Sequence, residues 1–271
     1  MNLLKTAFIG LILIWLSGCE DKSNTDKLCT NNPELDCDRL NTFDSQCRNP
    51  RTDLIWHRYE TLKDPSNKNK ILEYKFVTLY RKCLGNASQI QTFETSPRAA
   101  KRVDALMYSG EEQMRLVNEL RKTKSPDILY FLWSQLGDED AKREFLLMED
   151  TSVLDTAEMQ YALATFYTNR DLDKTIVLLN RSLELSDGDE VNREIFKSLA
   201  SLHYQLRNKE QAYIWAKVAE QFDVSVVSGR ELQLLYGFNE AKYDRLDEVA
   251  DKLESAINSG KYRRQLMPNK L

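Results

Sequence analysis

Glycine and proline are scarce in this chain: nine Gly and six Pro in 271 residues, about half the usual share of each. β-Sandwiches and barrels need both residues at many corners, so a turn-rich all-β fold is disfavoured. Between Pro126 and Pro268 there is no proline, and glycine occurs only at Gly137, Gly188, Gly229, Gly237 and Gly260. That stretch predicts helix after helix with short joins. Histidine is limited to His57 and His203, which argues against a His-based metal site. Acidic and basic residues nearly balance, 42 against 38, for a formal charge of −4. No basic stripe stands out, so no nucleic-acid partner is expected. The chain also lacks a Gly-rich phosphate loop, His-Glu-x-x-His and Gly-x-Ser-x-Gly. Asp187-Gly188-Asp189-Glu190 has no calcium-loop ligand ladder and reads as a solvated turn. The expectation is therefore no catalytic residue, no metal and no cofactor.

The N-terminus is informative. Lys5 precedes an apolar run from Ala7 to Leu16, the order of a secretory signal. A run this short is not a comfortable permanent span, which needs about 20 apolar residues. It ends in Leu16-Ser17-Gly18-Cys19, which resembles the lipobox of bacterial lipoproteins. The resemblance implies cleavage before Cys19 and acylation of that residue, and several acyl chains give stable anchoring. Glu20 follows Cys19 in place of the Asp associated with inner-membrane retention. The resemblance thus points to the periplasmic face of the outer membrane of a Gram-negative cell, with the inner membrane as the alternative because Asp21 comes next. Glu20 to Lys27 is polar and without aromatics, as expected of a flexible tether.

Cys29, Cys37, Cys47 and Cys83 remain. An even number in an exported chain argues for two disulfides, with three possible connectivities. Helical patterns over Pro50–Leu62 and Asn69–Leu84 flank the turn signal Asp64-Pro65-Ser66-Asn67. In such a hairpin, Cys47 before the first helix meets Cys83 at the end of the second. Cys47–Cys83 with Cys29–Cys37 is thus the favoured pairing. No Cys-x-x-Cys is present, and His57 reads as packed or surface-exposed.

A period of 37 residues runs through the C-terminal half. A shift of that length carries Ala212 to Thr175 and Val249, and Ala216 to Leu179 and Leu253. It also carries Ala219 to Ser182 and Ala256, Tyr204 to Tyr167 and Ala241, and Ala200 to Leu163 and Gly237. Leu199-Ala200, His203-Tyr204, Asn208, Ala212 and Ala219 resemble the tetratricopeptide repeat (TPR). The period differs from the 34 of that family, and its Trp and Pro positions are missing. The resemblance implies an all-α, TPR-like α-solenoid of antiparallel helix pairs, here preceded by a disulfide-stapled hairpin. Expected pairs are Thr156–Thr168 with Leu172–Leu185, Val191–Leu206 with Lys209–Gln221, and Glu231–Lys242 with Leu246–Asn258. Upstream, Arg98–Tyr108 and Glu111–Lys122 flank Ser109-Gly110, and Pro126–Leu136 and Glu139–Met148 flank Gly137-Asp138. The organisation reads as signal peptide 1–18, tether 19–28, Cys-rich segment and hairpin 29–95, irregular pairs 96–150, repeats 151–260 and basic tail 261–271.

The mature chain as a whole also resembles an uncharacterised family of gammaproteobacterial lipoproteins, domain of unknown function 2989. Asn31-Asn32-Pro33-Glu34-Leu35, Pro50 to Arg58, Tyr130 to Gln135 and Met159 to Tyr167 carry that likeness, which implies no activity. In TPR-like geometry the first helices line a groove. It would present Tyr161, Thr168, Lys197, Ser201, Tyr204, Gln205, Phe238 and Lys242. Aromatics among polar neighbours suit capture of a peptide or envelope protein, although Tyr204 and Phe238 can equally pack between repeats. The expected role is a membrane-anchored scaffold or adaptor. The alternative is an enzyme or small-ligand binder with an atypical site.

Overall fold

The computed structural model describes residues 24–42, 44–89, 97–188, 191–224 and 229–268, with only the backbone at 229 and 230. Cys19 and the expected signal peptide lie outside these residues. All regular structure among them is helical. The chain divides into two compact units, Met1–Leu136 and Gly137–Leu271. The division falls inside the pair expected to flank Gly137-Asp138.

The first unit contains α1 (Thr25–Asn31), α2 (Arg48–Lys63), α3 (Asn67–Ser88), α4 (Pro97–Leu120) and α5 (Pro126–Leu136). Its first helix takes in the last residues of the expected tether. Helices α2 and α3 form the expected hairpin. The Ser66 hydroxyl accepts from the Asn69 N–H at the start of α3, satisfying one of the free donors of a helix start. Cys47 opens α2 and Cys83 lies near the end of α3. Their disulfide closes the hairpin with Cα atoms 5.7 Å apart. Cys29–Cys37 clips the preceding segment. Leu54, Ile55, Val77, Tyr80, Leu84, Ala105 and Leu116 fill the core.

Helix α4 corrects one expectation. It runs through Ser109-Gly110 without a break. Arg102, Ala105, Ser109, Glu112, Leu116 and Leu120 form one buried stripe at three- and four-residue steps. Packing of that stripe on α3 outweighs the roughly 1 kcal/mol that an interior glycine costs.

The second unit contains α6 (Glu139–Leu146), α7 (Ala157–Tyr167), α8 (Leu172–Leu185), α9 (Glu194–Gln205), α10 (Lys209–Gln221), α11 (Gly229–Tyr236) and α12 (Glu240–Asn258). Asp138, Thr156, Asp171 and Asn239 cap α6, α7, α8 and α12 through their side chains. α7 packs on α8, α9 on α10, and α8 touches α9. Small residues make these close approaches possible: Thr175, Ser182, Ala212 and Ala219 are buried at the equivalent positions.

The third pair departs from the 37-residue period. α11 stops at Tyr236, and Gly237 takes a left-handed φ of +65°, the usual way for glycine to end a helix. Asn239 then starts α12 six residues ahead of the expected Leu246. Phe238 therefore lies in the turn and Lys242 on the first turn of α12, so neither belongs to the first helix of the pair. α12 packs along α10, and α11 also lies against α10.

The basic tail keeps Lys261, Arg263 and Arg264 exposed but is pinned at Tyr262. Gly260, at φ +64°, reverses the chain after α12, and Tyr262 is only 1 % exposed. Its ring meets Trp215 edge-on at 6.0 Å, and its hydroxyl donates to the side-chain Oδ1 of buried Asn180. The amide of Arg264 donates to Glu184. An aromatic ring with a buried hydrogen-bond partner makes this segment a strap across α8 and α10. Gly188 is equally engaged: a Cβ there would stand 2.5 Å from the carbonyl oxygen of Asn258.

Candidate functional site

Helix α9 divides its residues by face. Leu199, Leu202 and His203 point into the core, while Lys197, Ser201, Tyr204 and Gln205 are exposed. Across from it, α11 buries Leu232 and Tyr236 and leaves Leu235 at 48 % and Leu234 at 81 % exposure. Between them opens a cleft of about 470 Å³. Ala200, Ala216 and Leu232 line its apolar part, Tyr204, Leu235 and Tyr236 add larger surfaces, and Ser201 and Gln205 supply polar groups. Tyr204 stays 52 % exposed.

An aromatic cluster holds the α11 wall in place. Tyr236 meets Tyr204 edge-on at 6.3 Å and Tyr213 at 5.8 Å, and it stacks on Phe238 at 6.0 Å. Tyr243 lies 5.1 Å from Tyr213 and 5.5 Å from Phe238. Aromatic pairs at such distances add stability beyond their buried area. The Tyr243 hydroxyl donates to the Gln233 carbonyl and accepts from the Phe238 N–H. The Tyr213 hydroxyl donates to Asp247 at 2.8 Å. Burial, then Asp247, pushes the Tyr213 phenol well above its ordinary range. Burial, then neighbouring Tyr204, pushes Tyr236 up.

Of the eight residues expected to line a groove, the cleft brings together Ser201, Tyr204 and Gln205. Lys197 is exposed one turn away on the same face of α9. Tyr161 is half-buried on α7, and the exposed Thr168 donates its hydroxyl to the Ala164 carbonyl. Phe238 belongs to the aromatic cluster behind the wall. Lys242 pairs with Glu210 at 3.4 Å. Sequence reading missed Leu232, Leu235 and Tyr236. Their i, i+3, i+4 spacing just ahead of Gly237 is the signal that marks them.

The first unit has a second cleft, of about 460 Å³, lined by charges of both signs: Asp38, Arg39, Lys101, Asp104 and Glu111 beside Tyr108. Arg39 lies 4.5 Å above the Tyr108 ring and pairs with Glu111 at 3.4 Å. Beneath it, buried Arg58 donates to Glu73, Glu112, the Leu35 carbonyl and the Tyr108 hydroxyl. Arg102 pairs with Asp44 and holds that carboxyl below its ordinary range. These contacts tie α2, α3, α4 and the N-terminal turns together. His57 lies outside the cleft, 2.8 Å from the Asn69 carbonyl and 4.9 Å from the Phe76 ring. Among the described residues no group of three or more His, Cys, Asp or Glu is placed to hold a metal ion. No described helix is long and apolar enough to cross a membrane.

Comparison with curated proteins and with solved structures finds no significant match. A family model does match, over residues 16–217. It takes in the disulfide hairpin and the α9 wall of the cleft and ends before α11. That family is described as a protein of unknown function, DUF2989, and with well over half of its length matched the chain belongs to it.

Proposed function

We propose that this chain is a lipoprotein anchored through Cys19 to the periplasmic face of the outer membrane. There it serves as a non-enzymatic adaptor that takes an envelope protein or peptide into a TPR-like groove. One observation supports the groove: the cleft between α9 and α11, where half-exposed Tyr204 and Leu235 stand beside Ser201 and Gln205 over an apolar floor. Exposed aromatic and aliphatic anchors beside uncharged hydrogen-bonding groups suit protein recognition. The lipobox-like Leu16-Ser17-Gly18-Cys19 supports the anchor.

In-cell cross-linking tests the groove. Tyr204→Ala with Gln205→Ala is expected to abolish cross-linked partners while the helical circular-dichroism signal is kept; undiminished cross-linking overturns the groove. Metabolic labelling with palmitate tests the anchor. Label is expected in the native chain and not in Cys19→Ser, and an unlabelled native chain overturns it.

A further inference from the structure

We propose that the α9–α11 cleft takes an extended peptide carrying an apolar side chain and, two residues away, a carboxylate that pairs with Lys197. This rests on the groove reading above and specifies its ligand.

The row Lys197, Ser201, Gln205 steps along the exposed side of α9 at four-residue intervals. Among the described residues none of these three side chains has a hydrogen bond or an ion pair. Polar neighbours are engaged: Ser198 with the Glu194 carbonyl, Lys217 with Glu220, Gln221 with Asp251 and Lys242 with Glu210. Ser201 and Gln205 therefore keep hydrogen-bonding capacity open at the cleft, and Lys197 keeps its charge unpaired one turn away.

Chemistry then selects the occupant. The cleft is lined by Ala200, Ala216, Leu232 and Leu235 and contains no Asp, Glu, Lys or Arg. A charged group inserted there would lose water without gaining a partner, so the inserted side chain is apolar. A helical occupant has its backbone groups already paired and would engage Ser201 and Gln205 through side chains alone. An extended one needs donors and acceptors along its length, and the Gln205 carboxamide offers both. Spacing fixes the rest. Four residues of α9 rise about 6 Å. Two residues of an extended peptide cover about 6.6 Å and return to the same side. With the apolar side chain beside Ser201, the residue two positions along reaches Lys197, whose positive charge selects a carboxylate.

The test uses the intact chain in detergent and fluorescein-labelled peptides in polarisation titrations. The probe Gly-Asp-Ser-Phe-Ser-Gly is compared with the same peptide carrying Lys for Asp, and with one in which Asp adjoins Phe. The Asp-x-Phe probe is expected to bind about fivefold tighter than the Lys-x-Phe one, as suits an exposed ion pair. Lys197→Glu is expected to invert that order. Leu235→Asp, with its helical signal intact, is expected to abolish binding of both. Equal affinity for the two charge forms, with binding still lost in Leu235→Asp, overturns the carboxylate assignment and leaves the groove standing. Equal affinity for the two spacings overturns the extended arrangement. Binding that survives Leu235→Asp overturns the cleft and the groove reading together. Absence of saturable binding by any probe at millimolar concentration overturns the peptide occupant.

Discussion

His203 is 7 % exposed on α9, and its Nδ1 has no hydrogen-bond partner. Burial, reinforced by the nearby Arg264, pushes its pKa from 6.5 down to about 4. The folded ring is therefore neutral at pH 7. The unfolded chain takes up its proton more readily, so this residue costs nothing above pH 6.5 and destabilises the fold increasingly between pH 6.5 and 4. The loss saturates at about 3 kcal/mol. His203→Leu is expected to remove that component: the gap between urea midpoints at pH 7 and pH 4.5 narrows relative to the native chain, and an unchanged gap contradicts it. Arg58 is the opposite case, a buried cation among Glu73, Glu112 and Tyr108. Arg58→Met leaves two buried carboxylates with only the half-exposed Arg115 beside them. A loss of about 3 kcal/mol is expected, to be measured by urea denaturation. Adding Glu112→Gln is expected to recover part of it. Neither role is legible in the sequence, where Arg58 is one of 38 basic residues in a chain of balanced charge. The carboxylate partners of Arg58 lie 15 and 54 residues away in the chain.

At the scale of single elements, hydrophobic periodicity and capping residues locate most helices. α8 and α10 have their expected bounds, and α7 differs by one residue at each end. The two largest misses lie at glycines, while α9 starts three residues later than expected. A glycine in sequence looks the same whether it breaks a helix, as Gly237 does, or sits within one, as Gly110 does. Only the buried stripe on α4 and the left-handed φ at Gly237 separate them. Substitution makes the difference measurable. At Gly110 a Cβ meets the Arg81 guanidinium at 3.5 Å, an ordinary contact. Gly110→Ala is expected to raise stability by about 0.5–1 kcal/mol. At Gly188, φ is +95° and the Cβ would collide with the Asn258 carbonyl, so Gly188→Ala is expected to lower stability by about 2 kcal/mol or more. Thermal melts of the pair decide it, and shifts of the same sign refute the contrast.

Across the whole molecule, both disulfides fall in the first unit, and the cleft falls in the second. Closing the 36-residue separation of Cys47 and Cys83 is worth about 4 kcal/mol on the chain-entropy account, and the eight-residue loop of Cys29 and Cys37 about 2.5 kcal/mol. Replacing Cys47 and Cys83 by Ser is expected to speed amide hydrogen exchange in α2 and α3 more than replacing the shorter pair; the reverse order contradicts it. The sequence by itself determined the helical class, the hairpin turn, the favoured disulfide pairing and most helix positions. These follow from local signals: scarce turn residues, apolar periodicity, caps and cysteine spacing. Tertiary structure alone decided where α11 ends, which side of α9 stays in water, that Tyr262 is a buried clasp and that Leu232, Leu235 and Tyr236 form the second wall of the cleft. Each of these depends on residues brought together from different helices, where burial and mutual contact override local preference.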